Sequence, residues 1–458
     1  MYVKLPIVLL ALIEASLLIF ATYFAASLHF DAEASNSATP SGRLLPTALL
    51  FAWFGAVSLF SVGLYSTRQR ATTAGILVRV VAAVTTAVAL SALVYYFVPA
   101  VAVDRGVLGL MAGIAVCVLG VVRLLFERVV DESIFKRRVL VYGAGTRAAS
   151  LLELRRRSDQ RGFQVIAFVA AEGDHVTAAA DRLTERPPDL FRWAIENQVD
   201  EVVVAMDDRR RGFPMHEFLE CRLAGIDVLE LPSFLERETG KVRLDVLSPS
   251  WIIFGGGFRA SPLQRALERG FDILASLGLL MAGLPFMLLA VLAIRVEDGW
   301  RAPVLYRQRR VGRYGVPFDV LKFRSMTVDA EQGEAIWAVR NDPRVTKVGN
   351  VMRKTRIDEL PQLLNVLRGE MSFVGPRPER PEFVERLAQK IPYYRERHTV
   401  KPGITGWAQL CYPYGSTEKD ALEKLQYDLY YVKNRSLIFD LAILVQTVEV
   451  VLWGKGAR

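Results

Sequence analysis

Cysteine and histidine are scarce in this chain of 458 residues, which holds three of the first and four of the second. Cys117, Cys221 and Cys411 lie far apart, are odd in number and form no Cys-x-x-Cys. That spacing argues against a disulfide framework and against a structural zinc site, and it suits soluble parts kept in a reducing compartment. No histidine falls in a His-Glu-x-x-His spacing, no serine–histidine–aspartate set is apparent, and no aromatic-basic nucleic-acid motif is visible. Metalloprotease, triad hydrolase and nucleic-acid binder are therefore set aside. The net charge of +9 asks for another explanation, and the basic residues crowd the edges of apolar runs and the C-terminal third. A membrane surface and phosphorylated substrates account for such a distribution.

Apolar residues are abundant, at 52% of the chain with a mean hydropathy of +0.25, and they are unevenly placed. Four runs, 5–28, 44–64, 74–98 and 107–125, open the sequence, each near the ~20 residues that a spanning helix needs. The first is too long for a signal peptide and lacks a small-residue cleavage site. Lys4, Arg68, Arg70, Arg128 and Lys136–Arg138 flank one side of these runs. The opposite loops hold only Asp31, Glu33, Arg43, Asp104 and Arg105. Positive-inside bias predicts a four-helix transmembrane bundle over 1–130 with both ends in the cytoplasm.

Residues 136–247 alternate strand and helix patterns, with strands expected at 138–142, 163–169, 199–205 and 227–231, which implies a parallel sheet. Gly143-Ala-Gly145-Thr-Arg-Ala148 follows the first strand and resembles a dinucleotide-binding turn, making Gly143 and Gly145 candidate nucleotide-binding residues. The acidic partner of such turns is displaced to Glu172 or Asp174. Nucleotide binding and a structural or regulatory Rossmann-like α/β module both stay open on this evidence.

A linker with three consecutive glycines, 248–262, leads to a fifth apolar run at 273–294. Arg259, Arg265 and Arg269 precede it and Arg295, Arg301 and Arg307 follow, so both flanks read as cytoplasmic. With Pro285 near its middle, the run predicts a kink or a helix-break-helix, hence a re-entrant membrane hairpin at about 266–296.

The remaining blocks carry the chemistry. They are Tyr306-Arg-Gln-Arg-Arg-Val-Gly312 with Lys322-Phe-Arg324, Asn341 through Arg353 to Asp358-Glu359-Leu-Pro-Gln362, Gly369 to Pro376-Arg377-Pro378, and Lys401 to Trp407-Ala-Gln409. Asp358 and Glu359 are adjacent at the expected start of a helix over 360–367, where Pro361 is tolerated. Such a pair can serve as an N-terminal cap. It can also divide labour, one carboxylate attacking phosphorus while the other holds a divalent cation. An aspartate, with an ordinary pKa of about 3.9, needs no general base to act as a nucleophile. Arg353 and Arg377 match phosphate oxygens in fork geometry, and Pro376 and Pro378 stiffen the backbone around the second. Lys322 and Arg324 are candidates for the diphosphate or lipid phosphate, against the plainer reading of a solvated basic face. Gln409 and Trp407 are candidates for sugar or nucleotide contacts, against loop packing.

From 261 to 458 these motifs resemble the catalytic domain of the monotopic polyprenyl-phosphate phosphoglycosyltransferases, the bacterial sugar transferase family. The bundle and the α/β module resemble the family's large form. The ending, Glu423 through Tyr431 to Gly454, is similar to the branch found beside exosortase systems. The resemblance implies a catalytic domain over 263–458, mainly helical α+β, at the bacterial inner membrane with the soluble domains facing the cytoplasm. It implies Asp358 as nucleophile, forming an aspartyl-phosphosugar, with Glu359 as ligand to Mg2+ or Mn2+. It implies a UDP-sugar donor, undecaprenyl phosphate as acceptor, UMP release, membrane lipid around the domain and downstream glycosyltransferases building an exopolysaccharide or related glycan. A homo-oligomer is left open, and nucleic acid is not expected as a partner. Two rivals stand beside this reading. A membrane-tethered NAD-dependent enzyme leaves the C-terminal motifs unexplained and shows no Tyr-x-x-x-Lys; a non-catalytic scaffold makes the Asp358-Glu359 pair idle.

Overall fold

The computed structural model describes residues 5–29, 44–65, 73–129, 136–154, 162–172, 174, 177, 182–208, 212–247, 257–258, 261–327, 344–413, 415 and 417–453. Most of the 248–262 linker, the Asn341–Pro343 stretch and the flanking charges Lys4, Asp31, Glu33, Arg43, Arg68, Arg70 and Arg259 lie outside them. The chain divides into two compact units, Met1–Leu247 and Ser248–Arg458.

The first unit opens with four apolar helices: α1 (Leu5–His29), α2 (Leu45–Ser61), α3 (Thr73–Phe97) and α4 (Arg105–Val129). Each packs on its chain neighbour and α1 closes the bundle against α4. Helices α1, α3 and α4 are long and apolar enough to cross a membrane. At 17 residues, α2 is shorter than its apolar run suggests, because the chain turns at Val62–Tyr65. A charged pair lies inside the bundle. Arg123 on α4 meets the fully buried Glu14 on α1 at 2.5 Å. Tyr65 donates a hydrogen bond to the same carboxylate at 2.5 Å, and Arg123 also caps the Leu64 carbonyl at 2.6 Å.

The α/β part carries β1 (Arg137–Tyr142), α5 (Thr146–Ala149), β2 (Phe163–Val169), β3 (Leu183–Thr184), α6 (Leu190–Glu196), β4 (Glu201–Val204), α7 (Met215–Leu223), β5 (Asp227–Glu230) and α8 (Leu231–Thr239). Its five strands are parallel in the order β3-β2-β1-β4-β5, the arrangement of a doubly wound sheet. The two-residue β3 escapes sequence reading because so short an edge shows no alternation. Both faces of the sheet are covered. Val139, Val141 and Val203 pack with Phe234 on one side, while Leu140, Tyr142, Val202 and Val204 pack with Phe218 on the other. That two-sided burial is why the strands read as continuous apolar runs.

The second unit is built along α9 (Pro262–Asp298), a helix of 37 residues capped by the Ser261 hydroxyl. The backbone stays helical through Pro285, with no break into two helices there. Loss of one amide donor is tolerated because the surrounding turns and the packing hold the helix. A stripe of Asp272, Ser276, Gly283, Ala290 and Ile294 is buried against the unit. Leu274, Met281, Leu284, Leu288 and Leu292 point outward.

Around α9 lie the antiparallel hairpin β6 (Leu305–Val311) and β7 (Pro317–Phe323), then α10 (Lys347–Thr355) and α11 (Gln362–Arg368). Strands β8 (Ser372–Val374) and β9 (Gly403–Thr405) form a parallel pair. The helices α12 (Pro381–Lys390), α13 (Trp407–Cys411), α14 (Glu418–Asn434) and α15 (Leu437–Trp453) complete the unit. Its core joins Val320, Val366, Met371, Val400 and Tyr431 to the inward face of α9.

Candidate active site

Helix α10 ends at Arg356, whose left-handed backbone (φ 60°) turns the chain into a tight 3-10 turn over Ile357–Glu359. Asp358 and Glu359 therefore sit in that turn, and the longer helix begins only after Pro361, at Gln362 rather than at the expected residue 360. The turn points the two carboxylates into different surroundings. Asp358 is 6% exposed, and its Oδ1 is buried with no hydrogen-bond partner among the described residues. Glu359 receives the Lys322 ammonium at 3.1 Å and the Arg356 guanidinium at 3.5 Å.

The ionisation of the pair is split accordingly. Burial, reinforced by the Glu359 charge, raises Asp358 above the usual carboxylate range, against the pull of Lys322, Arg356 and Arg353. Burial would raise Glu359 as well, but Lys322, Arg377 and Arg356 outweigh it and hold that carboxyl below its ordinary value. Two neighbouring carboxyls pushed in opposite directions are suited to different tasks.

Lys322 comes from β7, opposite Tyr306 of β6. Strand alternation puts Gln308 and Arg310 on the same face, and the cleft in front of Glu359 is lined by Arg310, Lys322, Gln362, Arg377, Pro378 and Gln409. Arg310 was not singled out from the sequence, although period-2 alternation within Tyr306–Gly312 was the signal that could have found it. Arg377 leaves a loop that packs closely on β9: a side chain at Gly375 would meet the Lys401 carbonyl at 2.4 Å. Pro376 and Pro378 are both buried beside it. Gln409 lines the cleft, with Oε1 buried and lacking a hydrogen bond among the described residues and a long contact of 3.5 Å from Nε2 to the Ile404 carbonyl.

One expectation changes, and two further candidates have partners of their own. Arg324 does not face the cleft, since it donates to Asp298 at 2.7 Å and to the Pro303 carbonyl at 2.7 Å. The strand ends at Phe323, and the next residue turns to bind the end of α9. Arg353 lies near enough to bear on Asp358, yet its Nε is spent on the Ser325 hydroxyl at 3.0 Å. Trp407 is packed among aromatic rings, 5.2 Å from Phe439 and 6.3 Å from Tyr430.

A divalent cation can be tested against these groups. Among the described residues no cluster of three or more acidic, histidine or cysteine side chains is present, so these residues alone offer no cage. Asp358 with its orphaned oxygen and the adjacent Glu359 fit a cation whose remaining ligands come from substrate phosphate and water, the usual way magnesium is held.

In the first unit, the Gly143–Ala148 turn is already filled. Asp207 accepts from the Thr146 and Arg147 amides, both at 2.9 Å, and Asp174 accepts from the Ala144 amide at 2.9 Å. A side chain at Gly145 would lie 2.1 Å from the Asp207 carboxylate. Gly143 (φ +123°) is required for another reason, the backbone of Ala205 and Met206 passing within 2.7 Å of where its Cβ would be. Asp174 is thus not poised as the ribose-binding partner considered from the sequence; it belongs to the plug.

A long apolar helix carrying a basic cleft with a buried acidic pair, joined in one chain to an apolar bundle and a doubly wound sheet, defines a membrane protein equipped to handle phosphate. The chain belongs to the bacterial sugar transferase family, whose pattern matches residues 263–454. Residues 61–212 match a family described as CoA-binding domain. The chain is 40% identical over 285 residues to a UDP-N-acetylgalactosamine-undecaprenyl-phosphate N-acetylgalactosaminephosphotransferase of Aeromonas hydrophila, covering 62% of this chain and 65% of the relative. It is 35% identical over 322 residues to UDP-glucose:undecaprenyl-phosphate glucose-1-phosphate transferase of Escherichia coli K12, covering 68% of this chain and 67% of the relative. An exopolysaccharide production protein of Rhizobium leguminosarum is 41% identical over 204 residues, 42% of this chain and the whole of the relative.

Proposed function

We propose that this chain transfers a sugar-1-phosphate from a UDP-hexose to undecaprenyl phosphate, starting an exopolysaccharide or related glycan. The observation that carries this reading is the buried, unpartnered Oδ1 of Asp358 beside the Glu359–Lys322 pair, at a cleft lined by Arg310 and Arg377. The names of the relatives support the donor and acceptor classes.

An oxygen of ionised Asp358 attacks the sugar-bearing phosphorus of the donor. A new carboxylate–phosphorus bond forms as the phosphoanhydride bond breaks, and UMP leaves with the electron pair. A phosphate oxygen of the polyprenyl carrier then attacks the same phosphorus. This forms the polyprenyl-diphosphate sugar and returns the Asp358 carboxylate. Arg377 and Lys322 hold the phosphoryl oxygens, with Arg310 behind them on the Pro378 carbonyl, so the charge that develops meets fixed donors. Glu359, with Asp358 beside it, would hold Mg2+, which when bound neutralises the diphosphate and eases departure of the nucleotide.

The attachment of α9 bears on topology. Near its start Arg269 binds the Val366 and Leu367 carbonyls at 2.6 and 2.5 Å, and Asp272 accepts from Ser372 and Phe373. Near its end Glu297 accepts from the Lys347 and Val348 amides. These anchors are about 40 Å apart along the helix, more than a ~30 Å hydrocarbon core. A straight crossing would have to split one packed unit between two sides of the bilayer. Both ends of α9 on the cytoplasmic side, with the outward leucines in lipid, is the arrangement this packing supports.

Mass spectrometry of the protein given donor alone tests the mechanism. The wild type gains one sugar phosphate and Asp358→Asn gains none and releases no UMP. Full turnover in Asp358→Asn sinks the covalent route.

A further inference from the structure

The Pro376-Arg377-Pro378 loop is held by all three of its carbonyl groups. The Gly403 amide donates to that of Pro376 at 3.0 Å, and Arg310 Nη1 donates to that of Pro378 at 3.1 Å. The middle one, on Arg377 itself, accepts from Arg397 Nη2 at 3.0 Å. Arg397 stands in the 3-10 turn Tyr394–Thr399 and is 5% exposed. Its Nη2 also meets Asp428 Oδ2 at 2.7 Å, and its Nη1 donates to the Tyr394 hydroxyl at 3.1 Å. Asp428, on α14, is 2% exposed.

A buried ion pair is weak evidence for stability, because two charges must lose their water to form it; an apolar pair of the same volume often serves as well. What an apolar pair cannot do is reach a loop carbonyl. The guanidinium does both through one nitrogen, Nη2 donating to the Arg377 carbonyl while it pairs with the Asp428 carboxylate. The carboxylate is then what makes a buried guanidinium tolerable at that position.

We propose that Asp428, acting through Arg397, is a positioning residue for Arg377, fixing from behind the cleft the backbone from which that guanidinium reaches the donor phosphates. Neither Asp428 nor Arg397 touches substrate. The proposal rests on the reading of Arg377 as a phosphate clamp. It gives the Tyr427–Tyr431 stretch of α14 a place in donor binding that its distance in sequence conceals.

The test uses the full-length protein in membranes, with UMP release measured against donor concentration. The paired replacement Arg397→Met/Asp428→Leu removes the tie while leaving no buried charge alone. The expected result is a KM for donor raised roughly tenfold, where a purely structural defect would lower kcat through loss of folded enzyme and leave KM unchanged. In an Arg377→Ala background the same pair of replacements should add nothing. Parent kinetics in the paired variant, a change in kcat alone, or full additivity with Arg377→Ala each overturns the proposal. Arg377→Ala with unchanged kinetics would instead overturn the clamp reading beneath it. Should the paired variant fail to fold, Arg397→Lys keeps the charge beside Asp428 but loses the fork, and parent KM in that variant overturns the proposal equally.

Discussion

Lys322 and Glu359 hold each other across 3.1 Å, a strand residue and a turn residue joined at the floor of the cleft. The ammonium keeps Glu359 ionised while Asp358, one residue away, is pushed the other way. The pair governs Glu359, while burial, more than the pair, raises Asp358.

Replacing Lys322 with Met should cost at least about 100-fold in UMP release, the usual scale for one fixed donor at a developing charge. It should also raise the magnesium concentration needed for half-maximal activity, because Glu359 loses the partner that favours its ionised form. Activity within threefold of the parent, at any magnesium concentration, counts against this role.

The topology of α9 can be read by labelling. In a chain freed of its native cysteines, single cysteines at positions 265 and 301 should both react only with reagent on the cytoplasmic side. Reaction of one of them from outside would establish a true crossing and contradict the packing of both helix ends on one unit.

Much of this site was legible because its groups lie in tight local patterns: Asp358 and Glu359 are neighbours, and Arg377 is bracketed by prolines. Arg310 was not, since its role depends on which face of β6 meets β7. Arg324 misled for the opposite reason. It stands two residues beyond Lys322 in a basic block, but the strand stops between them and its guanidinium binds Asp298 instead. The long helix was recognised from composition, and Pro285 suggested a kink or a break where the backbone stays helical. Arg397 and Asp428 are 31 positions apart and carry no motif chemistry of their own, so only the fold brings them to the Arg377 carbonyl.

The plugged turn of the α/β module has its own test. Burial works against ionisation of Asp207, but the Arg147 and Thr146 amides outweigh it and hold the carboxyl below its ordinary range. Asp207→Ala should destabilise the module by about 0.5–2 kcal/mol, the scale of a lost cap. It should also create calorimetrically detectable binding of coenzyme A or UDP that the wild type lacks. Tight binding of either compound to the wild type would show that the carboxylate does not close the turn.

His398 supplies a pH prediction. Burial, with Arg397 and Arg395 nearby, holds its imidazole down to about 3, against an ordinary value near 6.5. The unfolded chain therefore binds a proton that the folded one refuses between those limits, and stability rises with pH across that window. Acidification from about pH 6.5 should weaken the wild type more than His398→Gln, by about 1.4 kcal/mol per pH unit at most. Parallel unfolding midpoints for the two proteins across that range would remove the imidazole from the account.

The Glu14–Arg123 pair bears on how the bundle is made. Its members are 109 residues apart, on the first and last helices, so the carboxylate emerges from synthesis long before its partner exists. A lone acidic group at mid-helix costs about 2.5–3.5 kcal/mol on insertion, so α1 is a poor resident of lipid until α4 arrives. The bundle is therefore sealed by its last helix, and a chain arrested before α4 leaves the Glu14 carboxyl without its Arg123 partner.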